Sequence, residues 1–156
     1  MEYSVCLSRL QRLCSRSEYC AQDMYRKALK DLEGDTSAAA RVVAALKADK
    51  YIDDARYAAC FAREKSSLQG WGPVKIRFLL RGKGISNEDI AAGLAEIEAP
   101  KADAKLRRLV EEKYKTLEGD PQCKLKLLKY ALSRGYEYDQ VSSVIDAVIL
   151  TTALPE

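Results

Sequence analysis

Apolar residues recur along this chain at spacings of three and four, and nowhere do they alternate with polar ones over a strand-length run. Residues 3 to 16 set Val5, Leu10 and Leu13 close to one face of a helix, with Arg9, Arg12 and Arg16 toward the other. A second helix, from Tyr19 to Leu32, carries Met24, Tyr25, Ala28, Leu29 and Leu32; Ser17-Glu18 is placed to cap it and Gly34-Asp35 stops it. The third, Ala38 to Ala48, is alanine-rich and packs through Val42, Val43 and Leu46. Asp53 fits the N-cap of a fourth, with Ile52 and Tyr57 arranged as a hydrophobic staple and Asp54 adding a carboxylate where the helix dipole favours one. Tyr57, Phe61 and Leu68 follow at helical spacing. Gln69-Gly70-Trp71-Gly72-Pro73 ends that helix, and Pro73 suits the first position of a fifth. Ile76, Leu79 and Leu80 form the fifth helix's apolar face, and Gly84 closes it. Ser86 and Asp89 open a sixth through Ile90, Leu94 and Ile97. After Ala99-Pro100 comes a long, doubly charged helix from Ala102 to about Leu117. Pro121 opens the eighth, with Leu125, Leu128 and Leu132, and Gly135 ends it. Val141, Val144, Ile145 and Val148 mark the ninth, and Leu154-Pro155-Glu156 reads as a loose tail. The fold class is all-α.

A repeat underlies this order. Gly34, Gly84 and Gly135 each close the second helix of a trio, at separations of 50 and 51 residues, and Leu29, Leu79 and Tyr130 stand five positions before them. Three tandem three-helix repeats follow, expected at 1–50, 51–98 and 99–150 with a tail at 151–156, in an elongated, curved helical array.

The composition fits such a protein and removes most chemistry. A chain of 156 residues, 47% hydrophobic and 31% charged, is long enough to bury a core without staples. Five cysteines stand at irregular spacings and there is no histidine, so the paired ligands of a zinc site are missing and the cysteines read as reduced thiols in a cytoplasmic protein. No apolar run approaches a membrane span. Asp53 and Asp54 diverge by about 100° on a helix, and capping explains them better than catalysis. Gly70, Gly72, Gly82 and Gly84 make neither a phosphate loop nor a dinucleotide fingerprint. The expectation is a protein with no catalytic residues, metal or cofactor. Trp71, in its glycine-rich break, fits a corner plug between helices better than an exposed contact residue.

Net charge is only +3, so a polyanionic or acidic partner would have to meet a local patch. Between Lys65 and Asn87 there is no Asp or Glu, yet Lys75, Arg77, Arg81 and Lys83 fall inside. Arg77 and Arg81 lie one turn apart, with Val74 and Phe78 between them and Lys75. Pro121 to Tyr136 again lacks acids and holds Lys124, Lys126, Lys129 and Arg134; at a 51-residue offset Lys126 falls on Lys75 and Arg134 on Lys83. In the first repeat Asp23, Asp31 and Glu33 dilute the corresponding bases. Two readings stand: a binding surface of basic residues around an exposed aromatic, or a solvated face with Phe78 packed on a neighbouring helix. General frequency favours the second.

The segment YIDDARYA followed by GWGPVKIRFLLRGKGI resembles the signature of the RecX family, regulators of the recombinase RecA. The resemblance is carried by Tyr51, Asp53, Asp54, Tyr57 and Ala58, then by Gly72, Pro73, Ile76, Arg77, Leu80, Lys83, Gly84 and Ile85. Lys50 stands where the family usually has glycine, and the N-terminal third matches loosely. The resemblance implies a fold of three tandem three-helix units and a monomeric regulator of RecA filaments on single-stranded DNA, which limits their extension, ATPase and strand exchange. It further implies binding along the filament groove to adjacent RecA protomers and the DNA. Two other classes stay open on the residues alone: a free-standing nucleic-acid-binding module and a helical interaction scaffold.

Overall fold

The computed structural model describes residues 1–97 and 99–153, with backbone alone at 99, 100 and 153. The expected tail at Leu154-Pro155-Glu156 lies outside the described residues. Among the described residues the chain is nine α-helices without a strand. They are α1 (Tyr3–Arg16), α2 (Ala21–Asp31), α3 (Thr36–Ala48), α4 (Asp54–Gln69), α5 (Pro73–Gly82), α6 (Asn87–Ala95), α7 (Ala99–Thr116), α8 (Cys123–Ser133) and α9 (Tyr138–Ala153). No helix among them is long and apolar enough to cross a membrane. Buried positions recur at the expected period: Ala39, Ile90 and Val141 stand 51 residues apart, and Ile76 and Leu80 recur as Leu127 and Ala131. The chain divides into two compact units, one of Met1–Cys60 and Leu80–Gly93, the other of Phe61–Leu79 and the residues from Leu94 on.

The first unit is built on α1, α2 and α3, whose core joins Cys6, Leu10, Met24, Ala28, Ala39, Val42, Leu46 and Ile52. Val5, expected in this core, is 51% exposed and Cys6 takes its place. With Leu10 at the centre of the face the residue one turn back is Cys6, and Val5 is rotated off by about 100°. Asp35 caps α3, its carboxylate accepting from Ala38 N at 3.0 Å. Ser17 and Glu18 do not cap α2. That helix starts at Ala21, whose amide donates instead to Asp54 Oδ1 at 2.9 Å, while Glu18 pairs with Arg56 at 2.8 Å. Asp53 caps α4 as expected, accepting from Arg56 N at 3.1 Å. Ser86 Oγ likewise accepts from Asp89 N at 3.1 Å to start α6. Beyond its cap, α4 buries small side chains (Ala58 and Ala59), and a Cβ on Gly93 of α6 would stand 3.0 Å from the Ala58 carbonyl carbon. This crossing is therefore a close backbone contact.

In the second unit α7, α8 and α9 enclose Leu106, Val110, Leu127, Ala131, Tyr136, Val141, Ile145 and Val148. The eighth helix begins at Cys123, two residues after Pro121, and its buried pair is Leu127 and Ala131; Leu125 and Leu132 of the expected stripe are exposed. Leucines lie on several sides of this helix, so periodicity could not choose among them and the packing against α7 and α9 does. Leu68, at the far end of α4, is 82% exposed, and the buried positions there are Ala62 and Ser66. Helix α7 starts at Ala99 rather than Ala102, with Pro100 tolerated in its first turn. Helix α6 stops at Ala95, leaving Ile97 in the connection.

Candidate partner-binding surface

The basic helix is positioned by its first turn. Pro73 has no N–H to offer, and the amides on either side are satisfied from the end of α8: Gly72 N donates to the Arg134 carbonyl at 2.7 Å and Val74 N to the Gly135 carbonyl at 2.9 Å. A carbonyl end thus faces an amide end, the favourable sense for both helix dipoles. Backbones this close leave no room for side chains. A Cβ on Gly72 would overlap the Gly135 carbonyl, and one on Gly135 would overlap Lys75 Cβ. Gly135 also has φ +92°, a left-handed conformation that a Cβ disfavours. Buried Tyr136 completes the junction, its hydroxyl donating to the Gly70 carbonyl at 3.0 Å.

Trp71 occupies the corner expected of it. It is half-buried, edge-on to Phe61 at 6.3 Å between ring centroids, and its amide closes on the Lys65 carbonyl at 3.0 Å. The ammonium groups of Lys65 and Lys75 lie 4.9 and 4.1 Å from its ring centroid. Both are cation–π contacts.

Pinned this way, α5 buries Ile76 and Leu80 and turns Val74 and Phe78 outward. Phe78 is 73% exposed, so it does not pack on a neighbouring helix. Half-buried Arg77 makes no ion pair among the described residues, and exposed Arg81 donates to the Asn87 side-chain oxygen at 3.3 Å. Lys75 lies over Trp71. Lys83 has a different setting: in the first unit its ammonium meets Asp23 at 3.2 Å and lies 5.9 Å from the Tyr57 ring centroid. Burial opposes its charge, but the hydrogen bond to Asp23 and the neighbouring negative groups outweigh this and raise its pKa. On α8, Lys124 pairs with Asp146 at 2.9 Å and Lys126 with Asp120. Their hydrogen bonds raise the pKa of Lys124 and lower that of Asp120. Lys129 is exposed, on the same side of α8 as exposed Leu125 and Leu132. Of the seven basic residues read from the sequence, Lys75, Arg77, Arg81 and Lys129 meet no acid among the described residues. Acids just outside the acid-free runs, Asp120 and Asp146, hold two of the others.

Most of the signature is scaffold. Asp54 caps α2 from 33 residues away and Lys83 holds Asp23 on the same helix. Gln22, with its amide nitrogen facing them, donates to the Gly82 and Lys83 carbonyls at 3.1 and 3.2 Å. A Cβ on Gly84 would stand 3.3 Å from the end of the Gln22 side-chain amide. The Tyr51 amide closes α3 on the Leu46 carbonyl at 2.9 Å. The contacts of Gln22 and Asp23 with the end of α5, and of Gly135 with its start, escaped the sequence reading because the partners are 50 or more residues distant. The separation of Gly84 and Gly135 by one repeat is the signal that tied the last of them to the pattern.

Known proteins resemble this arrangement. Residues 53–94 match the family model of RecX, second three-helix domain. The regulatory protein RecX of Clostridium tetani is 27% identical over 152 residues, covering 94% of this chain and 68% of the relative. That of Salmonella typhimurium is 27% identical over 151 residues, covering 91% and 90%. Among solved structures, RecX from Lactobacillus salivarius superposes with a TM-score of 0.82 at 19% identity, over 95% of this chain and 97% of that one. A second regulatory protein RecX gives 0.81 at 23% identity, over 94% and 71%. The resemblance carried by Tyr51–Ile85 is thus borne out, and it extends along nearly the whole chain.

Proposed function

We propose that this chain, similar to RecX proteins in sequence and fold, regulates RecA by binding its filaments on single-stranded DNA and limiting their extension, ATPase and strand exchange. The observation that carries the reading is Phe78, 73% exposed between Arg77 and Arg81 on a helix segment without acids. An exposed aromatic flanked by arginines is the composition of an interface anchor, since both residue types are enriched where binding energy concentrates. Lys75, Arg77, Arg81 and Lys129 supply the positive potential for an acidic or phosphate-lined groove. Lys83, Lys124 and Lys126 are engaged by Asp23, Asp146 and Asp120 and contribute less to that potential.

A second reading has support in the same residues: the Phe78 ring beside arginines also suits a base stacked on single-stranded nucleic acid. Binding measured with and without RecA across a salt series separates the two. Affinity for bare DNA that equals affinity for the filament and falls steeply with salt would replace the RecA reading with a nucleic-acid one. Filament binding well above DNA binding, and less sensitive to salt, supports the regulator.

A further inference from the structure

Two cavities adjoin in the second unit, away from the outward face of α5. One, of about 130 Å³, is lined by Trp71, Pro73, Leu94, Ile97, Ala102 and Tyr136. The other, of about 200 Å³, is edged by Arg63, Lys101 and Lys105, and Ser66, Ile97 and Ala102 line both. The first is mostly apolar; the second is rimmed by cations. The cleft is therefore an apolar slot that opens onto a cationic rim.

The chain's own chemistry indicates what such a cleft takes. Glu96, at the rim, already offers a carboxylate to Arg63 at 2.8 Å. Both partners of this pair are more than half exposed, so exchanging Glu96 for another carboxylate costs little. Lys105 spends one donor on the Ser66 carbonyl at 2.8 Å and has two others. A cavity of roughly 150 Å³ accepts a benzene ring, so the slot matches a leucine-sized side chain. A nucleobase fits it poorly. Its polar edges would meet mainly carbon, and the Tyr136 hydroxyl is already committed to Gly70.

We propose that this cleft binds a linear acidic peptide segment, seating one bulky apolar side chain between Trp71 and Ala102 while a flanking carboxylate meets Arg63 and Lys105 at the rim of the second cavity. The site goes beyond the RecA reading and uses a surface distinct from Val74 and Phe78. It makes the protein a reader of acidic tails or linkers on a partner protein.

Trp71 is the sole tryptophan of the sequence, so its fluorescence reports on the slot directly. The full chain is titrated with a short peptide of Asp and Glu around a central leucine, with the same peptide carrying alanine in place of leucine, and with a single-stranded oligonucleotide. The leucine peptide gives a saturable change, and the alanine peptide binds at least about tenfold more weakly, the scale of one buried apolar side chain. Arg63→Gln with Lys105→Gln weakens the leucine peptide by about tenfold or more, as expected for losing hydrogen bonds to charged groups. Ala102→Phe, which fills the slot, removes the response. Should that variant fail to fold, the peptide series on the unaltered chain decides alone. No change with the leucine peptide, equal binding of leucine and alanine peptides, or a response confined to the oligonucleotide overturns the proposal. None of these measurements contains RecA, so their failure would leave the regulatory reading standing.

Discussion

Replacing Gly135 with alanine strikes the one place where the basic helix is held by backbone alone. Two costs arise, and a second glycine separates them. At φ +92° a Cβ brings the left-handed penalty of about 1–2 kcal/mol. Gly34, at φ +86° with nothing within 4 Å of its would-be Cβ, carries that penalty and no other. At Gly135 the new Cβ would also overlap Lys75 Cβ and stand 2.7 Å from Lys75 N and 3.0 Å from its Cα. Those last two are helix backbone, so no rotamer change relieves the contact. The end of α8 must back away, weakening Gly72 N to Arg134 O and Val74 N to Gly135 O, each with a net worth of about 1 kcal/mol. Gly135→Ala should therefore cost about 3–4 kcal/mol and Gly34→Ala about 1–2 kcal/mol. Urea unfolding followed by circular dichroism and by Trp71 fluorescence measures both. Equal losses for the two variants would refute the helix-to-helix junction, and so would a Gly135→Ala loss below about 1 kcal/mol.

Lys50 has φ +59°, so Lys50→Gly should raise stability by up to about 1 kcal/mol, the left-handed penalty less glycine's added chain entropy; a destabilised variant in the same melts would contradict this. Burial raises the pKa of the Cys20 thiol and of Tyr57, and Lys83 is raised by Asp23 despite burial. For the thiol and phenol the unfolded chain ionises first, and the Lys83 contribution is complete below its ordinary value and lost above its folded one. Stability should accordingly decline as pH rises past the ordinary thiol value of 9.0, and the decline should be shallower in Cys20→Ala; a melting temperature still rising beyond pH 9.0 would contradict the sign. Arg77→Glu with Arg81→Glu should leave the melt within about ±0.5 kcal/mol per site and weaken filament binding far more than the same change at Arg107 and Arg108, where Arg107 already pairs with Glu111 at 2.9 Å. Equal losses would reduce the surface to general charge.

The helices were legible because their signals are local. Asp53, Ser86 and Gly84 act on backbone within a few residues, so type and spacing announce them. The 51-residue period was legible for the same reason: each trio repeats its own stops. Faces were harder. Val5 against Cys6, and Leu125 and Leu132 against Leu127 and Ala131, are choices between adjacent apolar positions that only the packed neighbours settle. Alanine-rich α4 misled differently, since its core face is made of small residues that allow a close crossing at Gly93, while its larger Leu68 points to water. The candidate surface was half legible. Arg77, Phe78 and Arg81 stood out in an acid-free run, but the capture of Lys83 by Asp23 and of Lys124 by Asp146 joins residues that no local pattern connects.

The most direct test of the central claim is the rate of ATP hydrolysis by the RecA of the same organism on single-stranded DNA as this protein is titrated in. With the regulator reading, substoichiometric protein slows the ATPase and shortens the filaments, and Phe78→Ala shifts the inhibition to higher concentration. An ATPase rate unchanged at excess protein, with the protein shown to be folded, would contradict it.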